Sequence, residues 1–259
     1  MAIALLLVPF QSACTPTAGP GEPALVVGIA ASVQPVVVEL AARFEAEHGI
    51  PVTLVTGSSG TLAEQLRQGA PLDLIISADS RYTSDLAAEA LLDPGSITAL
   101  VRGELVAVTN LDSSAGSVAL LLEAAAVRHV ALANPDLAPY GDAARRYIQG
   151  QGLWEETAGR IVYGENVAQA FQFVATGNAE LGFVPRSLLI ASDAEGVHEL
   201  PALPPEASAP LQVTAGVSAG SGSGDAARRF IRSLGDERTL ETWRRFGYAH
   251  LGKVDVAER

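Results

Sequence analysis

Cysteine, lysine and methionine each occur once in the 259 residues, and aromatic residues make up only 5%. One cysteine, Cys14, cannot close an internal disulfide, nor can it supply the several thiolates of a common structural zinc site. Positive charge is also scarce. Lys plus Arg number 17 against 29 Asp plus Glu, a net charge of −12 that argues against general nucleic-acid binding. No apolar run approaches the roughly 18 residues of a membrane-spanning helix. The histidines, His48, His129, His198 and His250, show no metal-ligand spacing, and no G-x-x-x-x-G-K-[ST] loop is present to cradle nucleotide phosphates.

What is present is a globular composition, 48% apolar and 18% charged, with 25 Gly and 15 Pro spread along the chain. At roughly 150 residues per domain the length suits one large domain or two lobes. Residues 1–10, MAIALLLVPF, have the length and apolarity of a signal-peptide core. Gln11-Ser12-Ala13-Cys14 follows like a bacterial lipoprotein cleavage site, with Cys14 as the expected lipid anchor, although no basic residue precedes Arg43. Thr15 to Pro23 (TPTAGPGEP) reads as a flexible tether, so the folded unit is expected from Ala24.

From Ala24, short Val/Ile/Leu-rich runs alternate with longer amphipathic ones, the pattern of a largely parallel sheet covered by helices. Strands are expected at 25–29, 52–55 and 74–76, and in a second set, begun by 105–108, at 130–133, 161–163 and 181–184. Helices are expected between them, including 61–67, 80–91, 142–148 and 167–175; 201–210 is a proline-rich loop before a returning strand at 211–217. The predicted architecture is α/β: 1–23 leader and tether, 24–105 plus 214–259 as one lobe, 106–213 as the other, with a cleft between them.

Helix starts that follow strands are natural anion sites, because free N–H groups and the positive end of the helix dipole meet there. Four are evident: Ile29-Ala30-Ala31-Ser32, with Ser32 as a plausible N-cap; Thr56-Gly57-Ser58-Ser59-Gly60-Thr61; Ala138-Pro139-Tyr140-Gly141; and Glu165-Asn166-Val167. Asp73 and Asp79 flank one strand and invite an acid–base reading, but Asp79 also fits a cap for the helix at Ser80.

At Ala30-Ala31-Ser32, at Ser58-Ser59-Gly60-Thr61-Leu62, at Gly69-Ala70-Pro71-Leu72-Asp73-Leu74-Ile75-Ile76-Ser77-Ala78-Asp79, at Gly177-Asn178-Ala179-Glu180-Leu181-Gly182-Phe183-Val184, and at Arg245-Phe246-Gly247-Tyr248, the chain resembles the periplasmic molybdate-binding proteins of ABC importers. The resemblance spans roughly 24–248. It implies a type II periplasmic-binding-protein fold, two α/β lobes closing on one tetrahedral oxyanion, and no catalysis. By motif, Ser32 and Ser59 would donate hydroxyl and N–H groups, Tyr140 and Val167 backbone N–H groups, and Ala31 a further backbone contact. The implied ligand is molybdate or tungstate. The resemblance also implies no separate cofactor and no metal-ion ligand set, and, as partner, an inner-membrane permease served by a monomeric protein at the periplasmic or outer cell surface. Many family members place a tyrosine where this chain has Pro185, which has neither phenol nor N–H.

A site made only of donors suits a fully ionised oxyanion. Hydrogenphosphate would press its O–H against a donor, an unpaired group costing about 1–3 kcal/mol, or roughly tenfold to a hundredfold in affinity. Sulfate, smaller than molybdate, stands as the alternative ligand. A serine hydrolase is the remaining one: Gly216-Val217-Ser218-Ala219-Gly220 matches G-x-S-x-G, with Asp225 or Asp236 and then His250 in hydrolase order.

Overall fold

The computed structural model describes residues 24–112 and 117–251. The leader, Cys14 and the tether lie outside the described residues. In chain order the first part holds β1 (Leu25–Ala30), α1 (Gln34–His48), β2 (Val52–Gly57), α2 (Ser59–Arg67), β3 (Leu74–Ser77), α3 (Ser80–Ala88) and β4 (Thr98–Arg102). The second holds β5 (Leu105–Thr109), α4 (Val118–Glu123), β6 (Val130–Ala133), α5 (Pro139–Gly150), α6 (Trp154–Ala158), β7 (Ile161–Gly164), α7 (Val167–Ala175), β8 (Leu181–Pro185), α8 (Arg186–Ala191) and β9 (His198–Glu199). The chain then returns through β10 (Gln212–Val217), α9 (Gly224–Leu234), α10 (Glu237–Arg245) and β11 (Ala249–His250).

Two sheets result, ordered β11-β4-β10-β3-β1-β2 and β7-β6-β8-β5-β9. β3 and β5 are buried at every residue, which is why LIIS and LVAVT read as unbroken apolar runs rather than as alternating ones. The sheets expected to be mostly parallel are mixed. β2, β1 and β3 run parallel, as do β7, β6 and β8, because helices make each of those crossovers. β10 is antiparallel to β3 and β4, and β5 to β8 and β9. Both β5 and β10 are entered from the other lobe without a helical crossover, so they arrive in the opposite direction.

The two passages between lobes lie side by side. Gly103, between β4 and β5, donates its N–H to the Leu211 carbonyl at 2.8 Å, and Leu105 N–H donates to the Ser208 hydroxyl at 2.9 Å. β4, the short helices α4, α6 and α8, and the two-residue strands β9 and β11 were not evident in the sequence pattern. The two-residue strands are too short to show a period, α4, α6 and α8 complete fewer than two helical turns, and the burial of β4 does not alternate.

Candidate functional site

A small cavity lies between the lobes where four helix starts converge. Ala31, Ser32 and Ser59 line it from the first lobe and Tyr140 and Val167 from the second, so all five residues picked out in the sequence meet at one place. Ser58, Ala78, Ala138, Pro139 and Asn166 complete the wall with Ala30 and Gly57. None of these side chains is charged.

The chain after β1 turns through a 3-10 segment, Ala31–Val33, before α1, with no side-chain cap on either helix start. Ser32 therefore does not cap, as its position had suggested, because it sits inside the 3-10 turn rather than ahead of it. Its Oγ is buried without a hydrogen-bond partner. Its carbonyl lacks an i+3 donor because residue 35 is proline. Two hydroxyls replace that donor: Tyr248 Oη donates at 2.5 Å and Ser187 Oγ at 2.6 Å.

The start of α2 disposes of its donors one by one. Ser58 is the N-cap, accepting the Thr61 N–H at 3.1 Å through its Oγ and the Leu62 N–H through its carbonyl. The helix expected from Thr61 thus begins two residues earlier, at Ser59. Ser59 Oγ accepts the Ala78 N–H at 3.1 Å, which leaves the hydroxyl hydrogen and the first-turn N–H for the cavity. In α7, Asn166 Oδ1 accepts from Ala168 and Gln169, and the Asn166 carbonyl accepts from Ala170. Of that first turn only the Val167 N–H is left over.

α5 opens with Pro139, which has no N–H, so Tyr140 carries the first N–H of that turn. The Tyr140 ring is buried and its hydroxyl rests on Gly103, where an added Cβ would stand 1.9 Å from Oη. The phenol is thereby packed at the passage between lobes. Burial raises the Tyr140 phenol well above the ordinary tyrosine range, and burial likewise raises Tyr248. Pro185 ends β8 opposite Leu105 and does not line the cavity.

The other candidates are held elsewhere. Asp79 caps α3 through the Arg81 N–H and pairs with the Arg81 guanidinium at 2.7 Å, as a structural carboxylate does. Asp73 accepts from Val26 N–H and Ser221 Oγ. Ser218 is buried and its Oγ has no hydrogen-bond partner, while the Asp225 side chain is 99% exposed. His250 pairs with Val101, which lies opposite Val213 of β10. At about 3.3 Å per residue, Ser218 is roughly 16 Å further along, beyond reach of a hydrolase triad.

Asn166 and Ser58 were not singled out beforehand. Each immediately precedes a residue that was, which is the signal that could have found them.

The sequence pattern of the family described as bacterial extracellular solute-binding protein matches residues 25–249. The chain is 30% identical over 224 residues to the molybdate-binding protein of Rhodobacter capsulatus, covering 86% of this chain and 87% of that one. It is similar to the structure of the periplasmic molybdate-binding protein of Azotobacter vinelandii at a TM-score of 0.80 and 27% identity, covering 87% of this chain and 98% of that one. The sulfate-binding protein SubI of Mycobacterium tuberculosis aligns at a TM-score of 0.73 over 89% of this chain and 88% of that one, but at 14% identity it shares the fold alone.

Proposed function

As the chain belongs to the bacterial extracellular solute-binding proteins, we propose that its inter-lobe cavity captures molybdate or tungstate for delivery to an ABC importer. The observation that carries this reading is an uncharged cavity lined by helix starts from both lobes, with Ser32 Oγ buried and left without a hydrogen-bond partner. Such a site holds a dianion with fixed dipoles rather than with a counter-charge, and it does so despite the acidic surface because salt screens charges beyond about 8 Å. The ring consists of Ser32 and Ser59 hydroxyls and the N–H groups of Ala31, Ser32, Ser59, Tyr140 and Val167.

Among the described residues no carboxylate lines the cavity and the Asn166 amide oxygen already accepts two N–H groups, so the O–H of hydrogenphosphate has only serine hydroxyls to accept it, weaker acceptors than a carboxylate. Sulfate satisfies the same donors. Molybdate is favoured over it by the extended identity to the Rhodobacter protein, against 14% for the sulfate-binding neighbour.

The anion ties the lobes together because each contributes donors, so it binds the closed form more tightly and shifts the population toward it. The closed protein is what the permease receives. We place the protein outside the cytoplasm as a monomer, anchored through a lipidated Cys14, and assign it no catalytic step.

Calorimetric titration of the full chain with molybdate, tungstate, sulfate and phosphate tests the assignment. The expected result is a dissociation constant at or below about micromolar for the first two only. Binding of sulfate in preference would transfer the site to the smaller anion, and no binding of any would refute oxyanion capture.

A further inference from the structure

The first turn of α2 holds one donor that faces neither the cavity nor its own cap. Between Ser59 and the capped Thr61 N–H, the Gly60 N–H crosses to the other lobe and donates to the Leu137 carbonyl at 2.8 Å. That carbonyl is firmly presented. It belongs to a tight turn after β6 in which the Asn134 carbonyl accepts from both Leu137 and Ala138 and Asn134 Oδ1 accepts from Asp136. The turn leads directly into the Tyr140 helix start.

Only glycine permits this approach. A Cβ on residue 60 would stand 2.8 Å from the Leu137 carbonyl oxygen and 2.9 Å from its Cα, both backbone atoms that no rotamer change can move. The local backbone does not itself require glycine, for the residue is helical, and alanine is the better helix former. The sequence therefore departs from local propensity at a point where a backbone N–H of one lobe meets a backbone carbonyl of the other. A second bridge across the cleft, Arg81 to Asp142 at 3.4 Å, involves a guanidinium 65% exposed and adds little.

We propose that Gly60 and Leu137 form a backbone latch that closes the cleft beside the anion site and governs how long the anion is retained. The bond exists only when the lobes meet, so it stabilises the closed form alone and raises affinity through that population. Gly60 touches no anion in this account; it positions the lobe that carries Tyr140 and Val167. For its ligand the latch rests on the anion-capture reading, while its geometry does not.

Gly60→Ala in the full chain tests it, with Leu137→Ala as control, by calorimetry and stopped-flow release of molybdate and by small-angle scattering. For Gly60→Ala the ligand-free melting temperature is expected to hold or rise by a few degrees. Its molybdate affinity should fall about tenfold, about 1.4 kcal/mol, mostly through faster release. Leu137→Ala, which keeps the carbonyl, should stay within about twofold of wild type. Unchanged affinity in Gly60→Ala overturns the latch, and so does an equal loss in Leu137→Ala, which would assign the contact to the leucine side chain. If the wild type bound no molybdate, the capture reading would fall and the ligand-free radius of gyration would decide the latch. A larger radius for Gly60→Ala supports it, and equal radii overturn it.

Discussion

Tyr248 donates its phenol to the backbone carbonyl of Ser32 from 216 residues away, and both residues are buried. Ser187, from the other lobe, donates to the same oxygen. Ser32, which lines the cavity, is thus held through its carbonyl by both halves of the protein. Replacing Tyr248 with Phe removes one of two donors from an acceptor that keeps the other. The expected cost is about 0.5–1.5 kcal/mol of stability, read by urea unfolding; a loss near zero would mean Ser187 alone suffices.

Alkaline pH should find the same cluster. Burial raises both Tyr140 and Tyr248, so between the ordinary tyrosine value and the raised ones the folded state keeps protons that the unfolded state has released. Stability is then complete below about pH 10 and declines above it, by up to about 1.4 kcal/mol per pH unit for each tyrosine. Denaturant melts at pH 9 to 11 measure the slope. Tyr248→Phe should reduce it, and an unchanged slope would assign the titration to other groups.

The two cavity serines should separate on stability although both support binding. Ser32 Oγ has no protein partner, so Ser32→Ala is expected to leave the melting temperature within error or raise it. Ser59→Ala strands the buried Ala78 N–H and should cost about 1–3 kcal/mol. In titrations each is expected to weaken molybdate at least about tenfold. Wild-type affinity in both would remove them from the site.

Asn166→Asp isolates electrostatics from capping. Aspartate caps as well as asparagine, and a negative charge at a helix start is favourable by about 0.3–1 kcal/mol. The same charge on the cavity wall repels a dianion. Thermal stability should be kept or improved while molybdate affinity collapses; retained binding would place the anion elsewhere.

Acid should act at a distance from the site. Burial alone would raise the Glu180 carboxyl, but the His129 N–H, the Arg128 guanidinium and the Arg128 N–H bring it below the usual range. A lowered folded value means that its contribution is present above the unfolded value and lost as pH falls through the folded one. Glu180→Gln should therefore destabilise at pH 7, and the gap to wild type should close progressively as pH falls below the ordinary glutamate value of 4.5. A constant gap across that range would exclude titration as the cause.

Sequence alone determined what depends on local pattern. Alternating apolar runs gave the α/β class and most strands, and a serine, an alanine or a proline at a helix start marked where N–H groups would be free. Ser32, Ser59, Tyr140 and Val167 are legible as helix-start residues because a helix start is a local event, its first N–H groups lacking intrahelical acceptors wherever the helix lies; it is the family resemblance that marks these four as anion donors. What only the tertiary structure decided is which free groups find partners. The antiparallel entry of β10 and β5 depends on strands brought together across long stretches of chain. So does the use of Ser59 Oγ by Ala78, of the Ser32 carbonyl by Ser187 and Tyr248, and of the Gly60 N–H by Leu137. Hydrogen bonding saturates locally only within helices and turns. Every remaining donor is assigned by what packing brings within about 3 Å, and no spacing in the sequence encodes that.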